Sequence, residues 1–183
     1  MSLIPPHNPI TPELYRPVTV TALKIGPSRQ SIETTEEERR RLADRFGLLA
    51  LTTLSASLQL TRKGQGQSIR ITVTGQIKAS IMQSCVVTLD PVSTDINTPF
   101  SILFDSEAEE DKIDCDPEPD SNTIVEPIVG DIIDLGEMLA QVLAVEIDPF
   151  PRREEVSKID YSASTPDRDH NPFAILQKLK DQN

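Results

Sequence analysis

Leu54-Ser55-Ala56-Ser57-Leu58-Gln59-Leu60-Thr61 and Ile69-Arg70-Ile71-Thr72-Val73-Thr74 are the stretches that decide the fold. In the first, Leu54, Ala56, Leu58 and Leu60 alternate with Ser55, Ser57, Gln59 and Thr61. The second runs on through Ile77, Ala79 and Ile81, which alternate with Gln76, Lys78 and Ser80. A period of two puts every apolar side chain on one face of a strand and every polar one on the other. Two such runs separated only by Lys63-Gly64-Gln65-Gly66-Gln67 predict a long antiparallel hairpin with one buried and one wet face. Gly75 falls where an inward side chain is due, which predicts a bulge or bend there.

Working outward, Tyr15 to Ile25 reads as a strand ended by Gly26-Pro27. A helix is expected from Thr35, because Thr35 and Glu38 have the spacing of a capping box. Leu42 and Phe46 share one face of it, and Gly47 is placed to stop it. On the far side of the hairpin, Cys85–Leu89 and Phe100–Phe104 read as strands separated by an Asp90-Pro91 turn, and residues 124–129 as a short one. The second expected helix runs from Asp134 to Ile147, with Leu135, Met138, Leu139, Val142 and Val145 as its apolar stripe. Asp148-Pro149-Phe150-Pro151 ends it. The expected fold class is therefore α+β: an antiparallel sheet or partly closed barrel, two main helices and a short C-terminal helix.

Four prolines in residues 1–13 predict a flexible tail, followed by one α+β domain over 14–151. Residues 152–170 read as a linker. Asn171-Pro172 resembles an N-cap and first helical position, so 171–183 is expected to form the short helix. The net charge of -11 is unevenly spread. Residues 1–104 carry 11 Lys and Arg against 8 Asp and Glu, whereas residues 105–183 carry 7 against 21. Nine of those acids lie between Asp105 and Asp120, so 105–121 is expected to be an exposed acidic loop beside a nearly neutral body. The low isoelectric point thus does not exclude contact with nucleic acid.

No run approaches the roughly 18 apolar residues of a membrane span. The opening Met1-Ser2-Leu3-Ile4-Pro5-Pro6-His7 lacks the basic start and apolar stretch of a secretory signal, so a cytoplasmic location is expected. Cys85 and Cys115 are the only cysteines and are expected to be reduced.

Catalysis near neutral pH usually draws on a placed histidine, a carboxylate pair or an activated thiol. His7 and His170 fall in the tail and the linker, and Cys115 stands among acids that raise its pKa. Cys85 on an apolar strand reads as a core residue. Asp114, Asp116, Glu118 and Asp120 alternate like a calcium loop, but Pro119 stands where the tight-turn glycine belongs and Val125 where the bidentate glutamate does. Gly64-Gln65-Gly66 is too short for a dinucleotide fingerprint. No enzyme, metal site or cofactor is expected. Arg62, Lys63, Arg70 and Lys78, at the hairpin turn or on its polar face, are the candidate RNA contacts through phosphate. No aromatic interrupts them to offer a base-stacking platform. The acidic loop would suit a basic protein partner.

Three stretches resemble the YceD-like family of large ribosomal RNA subunit accumulation proteins, in its alphaproteobacterial branch. The first runs from Gly75-Gln76-Ile77-Lys78-Ala79 into Gln83-Ser84-Cys85-Val86-Val87-Thr88-Leu89-Asp90-Pro91-Val92. The second is Asp131-Ile132-Ile133-Asp134-Leu135-Gly136-Glu137, continuing to Asp148-Pro149-Phe150-Pro151. The third is the terminal Asn171-Pro172-Phe173-Ala174-Ile175-Leu176-Gln177-Lys178-Leu179-Lys180. Tyr15-Arg16-Pro17-Val18 and the segment from Arg40 to Gly47 fit the same branch. Cys85, Leu89, Pro91, Asp134 and Leu135 carry the motif most plainly. Many relatives look as if they place a second cysteine where Thr88 stands, and more after the position of Arg152; this chain lacks them. The resemblance implies a part in ribosome biogenesis, with large-subunit ribosomal RNA or ribosomal proteins as partners, and no active site. Two rivals stand beside it: a protein-only adaptor that binds a basic partner through the acidic loop, and an uncharacterised enzyme using Asp131 and Asp134. The oligomeric state stays open.

Overall fold

The structure is a computed structural model that describes residues 12–65, 68–108 and 124–154. Its first compact unit ends at Pro151. The short C-terminal helix and most of the expected tail, linker and acidic loop lie outside the described residues; Glu13, at the end of the expected tail, accepts from Arg45 at 3.1 Å.

The hairpin forms as the alternation requires. Strand β3 (Ala50–Gln65) pairs antiparallel with β4 (Ser68–Ser84) along nearly their whole lengths. Leu54, Ala56, Leu58 and Leu60 are buried with Ile71, Val73, Ile77, Ala79 and Ile81, while Ser57, Gln59, Thr74, Gln76 and Lys78 lie on the other side. The expected bulge at Gly75 is absent: Gly75 stays in register with Leu58 and with Phe100 on the next strand. The irregularity falls between Leu51 and Thr53 instead, where the Thr52 hydroxyl donates to the Ser80 carbonyl at 3.0 Å.

Around the hairpin the sheet has the order β2-β3-β4-β5-β6, with β2 (Gly26–Glu33), β5 (Pro91–Asp105) and β6 (Ile124–Pro127). It is open, with β2 and β6 as its edges, so no barrel closes. Nor is it wholly antiparallel, because β6 runs parallel to β5. The long connection between those two strands allows the chain to return in the same direction. A separate two-stranded sheet pairs β1 (Pro17–Thr19) with β7 (Ile132–Asp134).

Three strand expectations are corrected. Only Pro17–Thr19 of the Tyr15–Ile25 stretch is a strand; the chain then turns, with Ala22 N–H donating to Thr19 O and Leu23 N–H to Val20 O, before β2 begins at Gly26. Cys85–Leu89 is the connection between β4 and β5 rather than a strand. Cys85 N–H donates to Asp90 O at 2.8 Å and Leu89 N–H to Cys85 O at 2.9 Å, which closes a turn with Leu89 at φ 64°. Strand β5 also starts nine residues before Phe100, and Pro99 lies within it. That proline is tolerated because β6 covers only Ile102 to Asp105, so the outer side of β5 is open at Pro99.

Helix α1 (Glu36–Phe46) carries the expected capping box. Glu38 N–H donates to Thr35 Oγ1 at 3.3 Å, and Thr35 N–H donates to Glu38 Oε2 at 2.8 Å. Gly47 ends it in the left-handed conformation. Helix α2 (Leu135–Glu146) is capped by Asp134 and ends at Ile147. Leu135, Met138, Leu139 and Leu143 are buried, whereas Val145 is exposed, so the buried stripe turns away from the expected one at its end. Helix α1 packs on β3, and α2 on β1, β4 and β5. One continuous core joins both helices to the apolar face of the sheet. Among the described residues no helix is long and apolar enough to cross a membrane.

Candidate functional site

The opposite face of the sheet is covered by none of these elements, and its composition follows from the register. From β2 come Arg29 and Ser31, from β3 Ser57, Gln59, Thr61 and Lys63, and from β4 Arg70, Thr72, Thr74, Gln76 and Lys78. Strand β5 adds Asn97 and Ser101. Hydroxyl and amide groups dominate, and the strands' aromatic rings, Phe100 and Phe104, belong to the other face. Near the middle lies an open depression of about 430 Å³ lined by Arg29, Ser57, Gln59, Thr74, Gln76 and Pro99.

The four cations singled out from the sequence part company here. Lys63 and Arg70 are direct cross-strand partners on the wet face, and Lys78 stands farther along it. Arg62 has the inward parity of Leu60. Its guanidinium donates to the carbonyls of Leu23 at 2.6 Å and Thr21 at 3.2 Å, so it pins the turn between β1 and β2 instead of facing outward. Arg70 donates from Nε to Asp105 Oδ2 at 2.7 Å and lies 3.9 Å from Glu107. Its charge is therefore largely answered within the fold. Lys63 and Lys78 make no ion pair with any described residue, and neither does Arg29. Arg29 was not legible as a site residue, because its strand alternates weakly and gave no register. Glu33 and Asp95 share the face, which keeps its net charge small.

The carboxylates that an enzyme reading would recruit hold the backbone. Asp134 Oδ1 accepts from Arg16 N–H at 2.8 Å and Gly136 N–H at 2.9 Å, capping α2 and anchoring the chain before β1. Asp131 accepts from Thr21 N–H at 2.9 Å and from its hydroxyl at 2.6 Å. Among the described residues no three His, Cys, Asp or Glu side chains are grouped to hold a metal ion. Cys85 is fully buried.

The two motif-bearing stretches meet at one end of the sheet. Gln83 Nε2 donates to Asp148 O at 2.8 Å and Val86 N–H to Pro151 O at 2.9 Å. Leu89 and Phe150 project from this junction, 76% and 69% exposed, and Pro91 opens β5 beside it. A family model described as the large ribosomal RNA subunit accumulation protein YceD matches residues 73–180. The chain belongs to the YceD family. Its match starts within β4 and takes in β5, β6, β7 and α2, so the junction and Lys78 fall inside it while Arg29 and Lys63 fall outside. The family name implies a role in accumulation of large-subunit ribosomal RNA. No curated protein and no solved structure matches the chain.

Proposed function

We propose that this YceD-family chain is a non-enzymatic cytoplasmic binding protein that supports large-subunit ribosomal RNA accumulation by contacting the RNA with the wet face of its sheet. The observation that carries this reading is the uncovered polar face itself, on which Arg29, Lys63 and Lys78 have no carboxylate partner among the described residues. Such cations gain most from phosphate, because no internal ion pair has to be broken first. Hydroxyl and amide side chains between them suit sugar hydroxyls and phosphate oxygens. With no aromatic ring on the face, recognition through stacked single-stranded bases is disfavoured, and backbone contact is favoured.

Affinity purification of the full chain in mild salt tests the setting. Recovery of large-subunit ribosomal RNA or its precursors is the expected result. Recovery of ribosomal proteins after complete RNA digestion, with no RNA bound by the purified chain, would instead favour the protein-only adaptor. Recovery of neither would overturn the reading.

A further inference from the structure

A second surface differs from the wet face in both shape and charge. Between β5, β6, β7 and α2 lies a groove of about 190 Å³, walled by Ile102, Phe104, Ile133 and Met138. At its mouth Val129 is 73% and Ile132 53% exposed. This volume is below the roughly 300 Å³ at which small-molecule and cofactor sites begin, so it suits one aliphatic side chain and not a cofactor.

Its charges are all of one sign. Glu126, Asp134 and Glu137 line it, and none of its eleven lining residues is Lys or Arg. Glu137 is already answered by Arg45, whose guanidinium donates to both carboxylate oxygens at 2.8 Å. Asp134 is held by two backbone N–H groups. Glu126 makes no ion pair with any described residue, so its carboxylate is open to a partner. In sequence, the connection between β5 and β6, residues 106–123, carries eight acids and one lysine.

We infer that this groove docks a cationic segment of a protein, with one aliphatic side chain seated over Val129 and Ile132 and a Lys or Arg beside Glu126. An RNA strand is repelled by the same charges. The edge of β6 adjoins the groove and has no strand on its outer side among the described residues, so an extended segment suits it. The chain thereby has an acidic, apolar surface for protein and a separate polar surface for RNA, and the first does not depend on the second.

The test uses the full chain and a fluorescent peptide in which Lys and Arg alternate with Leu, followed by anisotropy and by amide NMR shifts. Shifts are expected at Val129, Ile132 and Gln141. Affinity should fall about tenfold or more in Glu126→Lys combined with Val129→Lys, since like charges then face each other. Val129 is exposed and Glu126 partly so, and unchanged shifts elsewhere in the spectrum will show that the fold is intact. Lys63→Ala and Lys78→Ala should leave peptide binding unchanged, whatever they do to RNA. The inference is overturned if the peptide fails to bind, if its shifts are confined to residues 106–123, or if the double variant binds it equally well. Displacement of the peptide from the groove by a ribosomal RNA fragment would also overturn it.

Discussion

Gly75 and Phe100 face each other across β4 and β5, and the Phe100 ring fills space that a side chain at position 75 would need. A Cβ on Gly75 would stand 3.1 Å from Phe100 Cζ, 2.8 Å from Leu58 Cδ2 and 2.5 Å from the Ser57 carbonyl oxygen. The ring can move, but the carbonyl belongs to a paired strand. The glycine is therefore kept for close approach, and the sheet has no bulge there.

Gly75→Ala is accordingly expected to destabilise the fold by about 1–3 kcal/mol, the usual cost of forcing extra volume into a packed site. Urea unfolding checks this through a lower midpoint with an unchanged slope. An unchanged midpoint would mean that β3 and β4 separate freely enough to admit the methyl group, contrary to the packing described.

Arg16 grips Glu38 with both arms of its guanidinium, at 2.7 and 3.1 Å, and joins the chain before β1 to the first turn of α1. That pairing, helped by Thr35 and opposed by partial burial, lowers the Glu38 pKa from 4.5 to about 2. A carboxyl with a depressed folded-state pKa contributes stability that is complete above the unfolded value and is lost as pH falls through the folded one. The Arg16 side chain is about one-third exposed, so solvent screening trims the contribution to on the order of 1–2 kcal/mol. Glu38→Gln should thus be less stable than the native chain at neutral pH. The gap should close between pH 4.5 and about pH 2. Chemical unfolding across that range measures it, and a gap independent of pH would remove the ion pair as its cause.

How much of this was legible in the sequence depended on whether a pattern was local. Leu54 to Leu60 and Ile69 to Ile81 fixed their own faces, and Thr35, Glu38 and Gly47 marked their own helix. The alternation also put Arg70 and Lys78 on the polar side, where they lie; Lys63, expected in the turn, instead lies within β3 opposite Arg70. Arg62 obeyed the same period and belonged inside with Leu60; its position at the turn hid that parity. Val86-Val87 looked like strand because β-branched residues favour it. The hydrogen bonds from Cys85 to Asp90 and from Leu89 to Cys85 override that preference. Strand β5 was invisible before Phe100, since Val92 to Pro99 has few apolar residues and gains its order from pairing with β4. The groove beside β6 could not be read at all, because it needs β5 set against β6, β7 and α2, which lie 18 residues beyond it in the chain and whose pairing no local pattern announces.

Asp134 serves two ends at once, capping α2 through Gly136 N–H and holding Arg16 N–H across the molecule. Asp134→Ala should cost about 1–2 kcal/mol, toward the upper part of the range for removal of an N-cap. Asp134→Asn retains an acceptor at the same place and should recover most of it. Thermal unfolding of the two variants provides the comparison. Equal destabilisation in both would show that charge, and not the acceptor geometry, is what position 134 supplies.

The wet face makes a quantitative claim about salt. Removing one cation that touches phosphate should reduce the slope of log affinity against log salt by about 0.7–0.9. Arg29→Ala, Lys63→Ala and Lys78→Ala should each flatten that slope for a large-subunit ribosomal RNA fragment, by similar amounts and additively. Arg70→Ala should flatten it less, because Asp105 already occupies its guanidinium at 2.7 Å. Arg62→Ala should leave the slope alone and lower thermal stability instead, since it releases the carbonyls of Thr21 and Leu23. Binding titrations at several salt concentrations, with a melting curve for each variant, separate these outcomes. If Arg62→Ala flattened the slope while Lys63→Ala and Lys78→Ala did not, the RNA would be bound elsewhere than on this face.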